Sequence, residues 1–249
     1  STFGAYVRGY CSDSFVFRTR IGEKTDFLYF FFIFFLKRLY FYTKIKLGGK
    51  MKKIRWGIIG LGNIANKFAQ AVTKMQNTEL VAVASRTKEK SEHFGNNYGV
   101  AKEKCYGTYE EIVKDNDVDV IYIAVPHSMH KELSILCLKN KKAVLCEKPV
   151  TLNEEEAVEV INCAKENETF FMEAMKTRFL PVHKEVKRMV EDGEIGEVRL
   201  IQADFGFYTE FDEKNRLFDS KLGGGALLDV GIYPISYGTW LMGGEPVDV

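Results

Sequence analysis

The chain has 249 residues, of which 35 are Lys or Arg and 34 are Asp or Glu, so its formal net charge is +1. Apolar residues make up 46% and charged residues 28%, which excludes collagen-like and broadly disordered chains. The near-neutral balance argues against nucleic acid as a partner. The five cysteines form no C-x-x-C pair, so we predict neither a disulfide framework nor a zinc site, and a reducing, cytoplasmic location fits best.

The first fifth of the chain differs from the rest. Residues 1–50 hold nine Lys or Arg, three Asp or Glu, and ten of the 19 Phe. The apolar run Phe27–Leu36 is ten residues long, about half of what a membrane-spanning helix needs. We therefore expect no membrane span, although the aromatic stretch 27–42 is the one feature that would favour a membrane or export role. Because Met51 resembles a natural start, we interpret residues 1–50 as an atypical leader outside the fold.

From residue 53 onward, predicted strands alternate with predicted helices. Such alternation indicates parallel strands joined by right-handed crossovers, and the strands are continuous apolar runs, as in a sheet covered on both faces. The T-x-x-E pattern of Thr108–Glu111 predicts a capping box. We therefore predict an α/β fold, a doubly wound parallel sheet of Rossmann type. The predicted strands are 54–59, 80–84, 118–125, 143–146 and 170–172, and the helices between them are 65–75, 88–98, 109–113, 130–138 and 153–164.

After about residue 178 the pattern changes to that of a second, α+β domain. We expect the Rossmann domain to cover residues 51–173 and the second domain to cover 174–249. Since the last strand candidate runs to the final residue, we expect this domain to be incomplete. Its predicted elements are a helix over 181–190, a strand over 198–207, the segment 223–241 and a final strand over 246–249.

A glycine-rich loop follows the first predicted strand. Gly60-Leu61-Gly62-Asn63-Ile64-Ala65 fits G-x-G-x-x-[G/A] and lies directly between a strand and a helix, the context that supports a dinucleotide site. The first glycine permits the tight turn, the second lets the backbone approach a pyrophosphate, and Ala65 permits close helix packing. We predict cofactor contacts from Gly60, Leu61, Gly62, Asn63 and Ile64.

The end of the second predicted strand indicates which dinucleotide binds. An acidic residue there would bind a ribose 2′-hydroxyl, but this chain has Ser85 and Arg86. A hydroxyl and a guanidinium suit a 2′-phosphate. We therefore predict NADP as the cofactor, with NAD as the alternative.

Three later motifs, together with the Gly60 loop, carry a family resemblance. Glu147-Lys148-Pro149, the segment 173–179 (EAMKTRF) and the segment 223–233 (GGGALLDVGIY) resemble the Gfo/Idh/MocA family of nicotinamide-dependent oxidoreductases. Within it, they resemble the branch of dimeric dihydrodiol dehydrogenases and NADP-dependent D-xylose dehydrogenases. The resemblance covers residues 53–249. It implies a Rossmann domain, then a substrate and oligomerisation domain with an open, mostly antiparallel sheet, and a homodimer.

The resemblance also implies a reaction: hydride transfer between NADP(H) and the CH–OH group of a sugar, polyol or cyclic diol. Such an alcohol gives up hydride only as its hydroxyl proton leaves, so an acid/base group and a nearby cation are needed. Lys148 follows a strand end and suits the cation role, which the family's active-site lysine fills. Tyr233 is the candidate proton donor and acceptor, since a nearby positive charge lowers the pKa of a phenol. Asp229 lies four residues earlier, about one helical turn, so it can face the same pocket and is the third catalytic candidate, which orients the substrate or the lysine.

Further residues are assigned by the resemblance alone. Arg178 corresponds to a cofactor-side arginine, and Pro126 and His130 to a P-x-x-x-H element beside the nicotinamide. Glu147 and Lys148 complete the predicted cofactor contacts. Lys176 stands where this branch commonly has a tryptophan. Without a Cys/His cluster at ligand spacing, we predict no metal.

Two other interpretations stay open from the sequence. The first is a non-catalytic regulatory protein that binds NADP or a sugar. The second is an inactive truncated fragment. The presence of both Lys148 and Tyr233 favours the enzyme over the first of these. An unfinished sheet, with open edges and an exposed apolar face, would favour the second.

Overall fold

The computed structural model describes residues 2–8, 15–19, 53–244 and 246–248. The aromatic run Phe27–Leu36 and the predicted start at Met51 lie outside the described residues. The described chain divides into two compact units. The first unit comprises residues 53–174 together with Lys221–Gly223, and the second unit comprises the remaining described residues.

The strands and helices are numbered here in chain order. The strands are β1 (Thr2–Arg8), β2 (Phe15–Thr19), β3 (Ile54–Ile59), β4 (Thr78–Ala84), β5 (Cys105–Tyr106), β6 (Val120–Ile123), β7 (Ala143–Cys146), β8 (Phe171–Glu173) and β9 (Leu200–Gly206). The α-helices are α1 (Asn63–Lys74), α2 (Lys88–Tyr98), α3 (Tyr109–Lys114), α4 (His130–Lys139), α5 (Glu154–Glu166), α6 (Pro181–Glu191) and α7 (Ile232–Met242).

The first unit is built on a six-stranded sheet in the order β5-β4-β3-β6-β7-β8, with every neighbouring pair parallel. The strand order reverses direction between β3 and β6. In doubly wound sheets, ligands bind at the carboxyl ends of the strands beside such a reversal. The predicted Rossmann-type fold is therefore confirmed.

Apolar side chains fill both faces of this sheet. On one face, Phe68 of α1 stacks on Tyr122 of β6 with ring centroids 3.7 Å apart, and Phe68 also meets the ring of Trp56 of β3. The opposite core includes Ile121 and Val144 from the strands and Leu138 from α4. The helices begin where the sequence favours them: Thr108 and Glu111 form the predicted capping box, and Asn153 caps α5.

The second unit has a smaller core. Met175, Val186, Tyr233, Tyr237 and Leu241 are buried, and one face of β9 packs against them. The other face of β9 is exposed. The strand expected over 246–249 is not formed by residues 246–248, the part of it that is described.

Two strands, β1 and β2, lie within residues 1–50, which we interpreted from the sequence as a leader outside the fold. β1 pairs antiparallel with β9, and β2 pairs antiparallel with β1, so this three-stranded sheet has the order β2-β1-β9. The backbone of these two strands thus lies within the second unit, although we expected residues 1–50 to lie outside the fold. An open edge of β9 accounts for this, because unpaired strand edges accept further strands. The domain boundaries proposed from the sequence remain predictions.

Candidate active site

Backbone hydrogen bonds align the loops along the carboxyl edge of the first unit's sheet. The N–H of Gly60 donates to Ala84 O at 3.1 Å, and the N–H of Ala124 donates to Ile59 O at 2.8 Å. The N–H of Glu147 donates to Ile123 O at 3.0 Å. Since each bond joins a loop to the neighbouring strand, the residues after β3, β6 and β7 form one continuous edge.

The glycine-rich loop lies on this edge and has the geometry of a phosphate-binding turn. Gly60 has φ +86°, and a Cβ there would lie 2.6 Å from Ala124 O. A Cβ on Gly62 would meet nothing within 4 Å. Gly62 also precedes α1 without a side-chain cap, and the first turn of α1 has no acidic residue. The N-terminal N–H groups and the open space at Gly62 fit a pyrophosphate.

The two residues after β4, Ser85 and Arg86, differ in whether their side chains are accessible to a ligand. Ser85 is buried, and its hydroxyl donates to Thr87 O at 2.7 Å while accepting from Ser91 Oγ at 3.1 Å. Arg86 is exposed. The hydroxyl of Ser85 is thus used within the loop, and Arg86 is the residue of this pair that suits a phosphate ligand.

Lys148 lies in the turn that follows β7. It is buried, with 9% of its surface exposed, and the peptide bond to Pro149 is cis. The carboxylate of Glu147 accepts a hydrogen bond from the hydroxyl of Tyr122. Because Tyr122 belongs to β6, the turn beside Lys148 is tied to the neighbouring strand.

His130 opens α4 and contacts the same turn. Its Nδ1 lies 2.7 Å from Pro149 O, and its Nε2 lies 3.1 Å from Val125 O. Burial lowers the pKa of His130 to about 4. The ring is therefore neutral near pH 7 and donates to one carbonyl, which we assign to Pro149 because that distance is shorter.

In the second unit, Tyr233 lies in the first turn of α7 and is buried. The ring of Phe205 meets it edge-on, with centroids 5.0 Å apart. The Nζ of Lys176 lies 5.3 Å from the centroid of the Tyr233 ring. A cation thus lies beside the phenol within the same unit.

Asp229 lies on a π-helix, Leu227–Gly231, directly before α7. Its carboxylate accepts from Arg216 Nη1 at 3.2 Å; the Asp229 side chain is 11% exposed and that of Arg216 is 54% exposed. Wider turns of this type often occur at functional sites. Arg178 is exposed, and its Nε donates to Ser236 Oγ at 3.1 Å.

Two of the three glycines at 223–225, which precede α7, are packed closely against other parts of the protein. A Cβ on Gly223 would lie 2.6 Å from Leu152 Cδ2, and one on Gly224 would lie 2.8 Å from the backbone of Asp219. A Cβ on Gly225 would meet nothing within 4 Å. Of the three glycines, only Gly225 therefore has open space beside its Cα.

Among the described residues, no group of three His, Cys, Asp or Glu side chains lies close enough to hold a metal ion. Within the same ranges, none of the helices has both the length and the apolar character needed to span a bilayer. Cys105, Cys137, Cys146 and Cys163 are buried thiols outside any disulfide.

Comparison with known proteins decides the family. Residues 54–175 match a family described as an oxidoreductase family with an NAD-binding Rossmann fold, and residues 183–249 match the GFO/IDH/MocA C-terminal domain. The chain belongs to the Gfo/Idh/MocA family. The resemblance stated from its motifs is thereby confirmed.

Curated relatives of this family are similar over most of the chain. A trans-1,2-dihydrobenzene-1,2-diol dehydrogenase of Xenopus tropicalis is 39% identical over 77% of this chain and 57% of its own length. The human protein of the same name is 37% identical over 77% of this chain and 57% of its own length. The chain thus spans a little over half the length of these relatives.

Solved structures of the family are similar as well. An aldose-aldose oxidoreductase from Caulobacter crescentus, complexed with glycerol, has a TM-score of 0.74 and 32% identity, covering 79% of this chain and 59% of the other. A 3-ketoreductase from Actinomadura kijaniata, in complex with NADP and TDP-benzene, has a TM-score of 0.67 and 28% identity, covering 77% and 58%.

The structure groups the predicted Gfo/Idh/MocA residues by unit. The loop Gly60–Ile64, Ser85, Arg86, Pro126, His130, Glu147 and Lys148 belong to the first unit, and Arg178, Asp229 and Tyr233 belong to the second. Sequence reasoning assigned no role to Tyr122, Glu173 or Arg216, whose side chains contact Glu147, Val150 and Asp229 respectively. A polar ring in the otherwise apolar strand β6 and a carboxylate at the end of β8 were the available signals for the first two.

Proposed function

We propose that the protein is an NADP(H)-dependent oxidoreductase that transfers hydride between the nicotinamide and a CH–OH group of a sugar, polyol or cyclic diol. The observation that carries the proposal is Lys148, a buried lysine on the same sheet edge as the loop Gly60–Ile64. The named activities of the relatives, on a dihydrodiol, an aldose and a ketone, support this substrate class.

The residues of the chain suit the chemistry of an alcohol. The bound nicotinamide would supply hydride acceptance or donation. Lys148 supplies a fixed positive charge that stabilises developing alkoxide, and Tyr233 exchanges the hydroxyl proton. Asp229 orients the polar groups around this proton, and its contact with Arg216 keeps the carboxylate in place.

Arg86 supports NADP over NAD. A guanidinium forms paired, charge-assisted hydrogen bonds with a 2′-phosphate, and the position after β4 is where that group lies in dinucleotide-binding sheets. Arg86 is exposed and Ser85 is used internally, so this preference rests on Arg86. By resemblance we also propose a cytoplasmic homodimer.

Replacement of Lys148 tests the proposed activity. Lys148→Met should lower turnover of aldoses or cyclic diols about 100-fold or more, since a lost electrostatic group at the reacting atoms costs that much. NADP affinity, measured by fluorescence titration, should change little. Lys139→Met, which removes an exposed lysine at the end of α4, is the matched control.

Three results would contradict the proposal in different ways. Unchanged turnover in Lys148→Met would remove this lysine from the mechanism. NADP binding without turnover of any polyol, aldose or diol by the unmodified protein would favour a non-catalytic binding protein. Absence of both binding and a cooperative unfolding transition would favour an inactive fragment.

A further inference from the structure

The turn that carries Lys148 is held on both sides by side chains that the proposed chemistry does not use. Before Lys148, the Glu147 carboxylate accepts a hydrogen bond from the hydroxyl of Tyr122. After it, the N–H of Val150 donates to Glu173 Oε1 at 2.9 Å. Two neighbouring strands, β6 and β8, therefore fix the turn from opposite sides of β7.

Tyr122 is itself immobilised. Only 1% of its surface is exposed, and its ring is nearly parallel to that of Phe68, at an interplanar angle of 5°. In the sheet, Tyr122 pairs with Leu145, so Glu147, two residues further along, extends over the same face. The hydroxyl thus meets Glu147 from a ring that the core holds in one orientation.

Glu173 is fixed by the sheet in a similar way. It is the last residue of β8 and pairs with Cys146, and the next N–H, that of Ala174, donates to Cys146 O at 2.7 Å. Its carboxylate therefore lies beside the end of β7, where the backbone of Val150 returns. A carboxylate that accepts from a backbone N–H makes one of the stronger hydrogen bonds in proteins.

We propose that Tyr122 and Glu173 are positioning residues for Lys148: together they fix the turn Glu147–Val150 and so the location of its ammonium. The inference rests on the proposed role of Lys148. Neither residue touches reacting atoms; each acts through the backbone or the carboxylate beside the lysine. Displacing a catalytic group by about 1 Å can lower a rate 100-fold, so this fixation has consequences for turnover.

The variants isolate the two hydrogen bonds. Tyr122→Phe keeps the ring and its stacking on Phe68 and removes only the hydroxyl. Glu173→Ala removes the acceptor for Val150, whereas Glu173→Gln keeps an acceptor oxygen. The control is Tyr106→Phe, which removes a similar bond, from Tyr106 to Asp115 at 2.9 Å, elsewhere in the first unit.

Two readouts are measured on the full chain: steady-state kinetics with an aldose or cyclic diol, and the rate at which acetic anhydride labels Lys148, quantified by mass spectrometry. In Tyr122→Phe and Glu173→Ala we expect kcat to fall about tenfold or more, with NADP affinity within about threefold. The Lys148 labelling rate should change about threefold or more, while other lysines keep their rates. Glu173→Gln should restore both values, and Tyr106→Phe should resemble the unmodified protein.

The proposal is overturned if Tyr122→Phe and Glu173→Ala retain both kcat and Lys148 labelling, or if Glu173→Gln behaves as Glu173→Ala does. If the unmodified protein shows no turnover, the proposed function fails, and labelling alone then decides the positioning role. If Tyr122→Phe does not fold, the pair Glu173→Ala and Glu173→Gln decides it in the same way.

Discussion

The two units hold their candidate site residues by different means. In the first unit, the turn around Lys148 is fixed by part-buried hydrogen bonds to side chains of the adjacent strands. In the second, Tyr233 and Asp229 each meet a cation, from Lys176 and from the half-exposed Arg216. The site residues of the first unit are therefore held mainly by backbone and hydrogen-bond geometry, and those of the second mainly by nearby charges. We expect substitutions in the first unit to have the larger effects on stability and binding.

The largest effect is expected at the glycine-rich loop. Gly60→Ala places a Cβ 2.6 Å from Ala124 O at a positive φ, so it should lower the free energy of unfolding by about 3 kcal/mol or more. Gly62→Ala meets no protein atom, so it should lower that free energy by about 1 kcal/mol at most. It should nevertheless weaken NADP binding about tenfold or more, because the methyl group takes the phosphate's space.

Chemical denaturation and cofactor titration of both variants separate the two effects. Equal stability of Gly60→Ala and Gly62→Ala would contradict the close packing of Gly60 against the loop after β6. Unweakened NADP binding by Gly62→Ala would instead place the pyrophosphate elsewhere.

The next effect concerns acid stability of the first unit. Burial lowers the pKa of His130 to about 4, whereas the unfolded chain binds this proton below about pH 6.5. The unfolded state then holds more protons between these values, so stability falls as the pH drops from 6.5 to 4 and does not respond to this group above 6.5. The loss attributable to His130 should reach about 3 kcal/mol at pH 4.

Thermal unfolding of His130→Gln across this range measures that contribution. The variant should be less stable at pH 7 but lose less stability on acidification than the unmodified protein. His93→Gln, at an exposed histidine of α2, should keep the original pH profile. Parallel profiles for His130→Gln and the unmodified protein would show that His130 does not titrate as proposed.

The sequence predicted the sheet well because its signals are local. Apolar runs bounded by polar segments placed β3 and β7 to the residue, and Thr108 with Glu111 predicted the start of α3. The two-residue strand β5 was missed, since so short a strand has no period to detect. The strand expected over 246–249 has an apolar pattern, but residues 246–248, the part of it that is described, are not in a strand.

The sequence predicted only those residues of the candidate site that belong to a recognisable motif. The Gly60 loop and Lys148 stand directly after strands, which sequence shows. The bond from Tyr122 to Glu147 depends on how β6 and β7 are aligned, and the ion pair of Arg216 with Asp229 depends on the path of a loop. Ser85 suggested a phosphate contact by its residue type, but its hydroxyl bonds locally to Thr87 and Ser91, which the motif does not show.

A moderate effect is expected at Arg86, the exposed cation that follows β4. Arg86→Ala should weaken NADP binding about tenfold to 100-fold, the range for a charge-assisted hydrogen bond. NAD binding should stay within about twofold, because NAD lacks the 2′-phosphate. Lys74→Ala, in the last turn of α1 and so at the end away from the glycine-rich loop, is the control for general loss of positive charge. Equal losses for both dinucleotides would place Arg86 against another part of the cofactor.

The smallest effect tests the role of charge in the second unit. Lys176 lies over the Tyr233 ring at 5.3 Å, and Lys184 lies over the Phe179 ring at 5.9 Å. Lys176→Met and Lys184→Met should each lower the free energy of unfolding by about 0.5–1 kcal/mol, the usual range for such contacts. Only Lys176 adjoins the proposed proton-transfer group, so only its loss should lower turnover, by about threefold to tenfold. Denaturation and steady-state kinetics are measured on both variants. Equal turnover of Lys176→Met and Lys184→Met would mean that the ammonium over Tyr233 only packs against the ring and has no part in proton transfer.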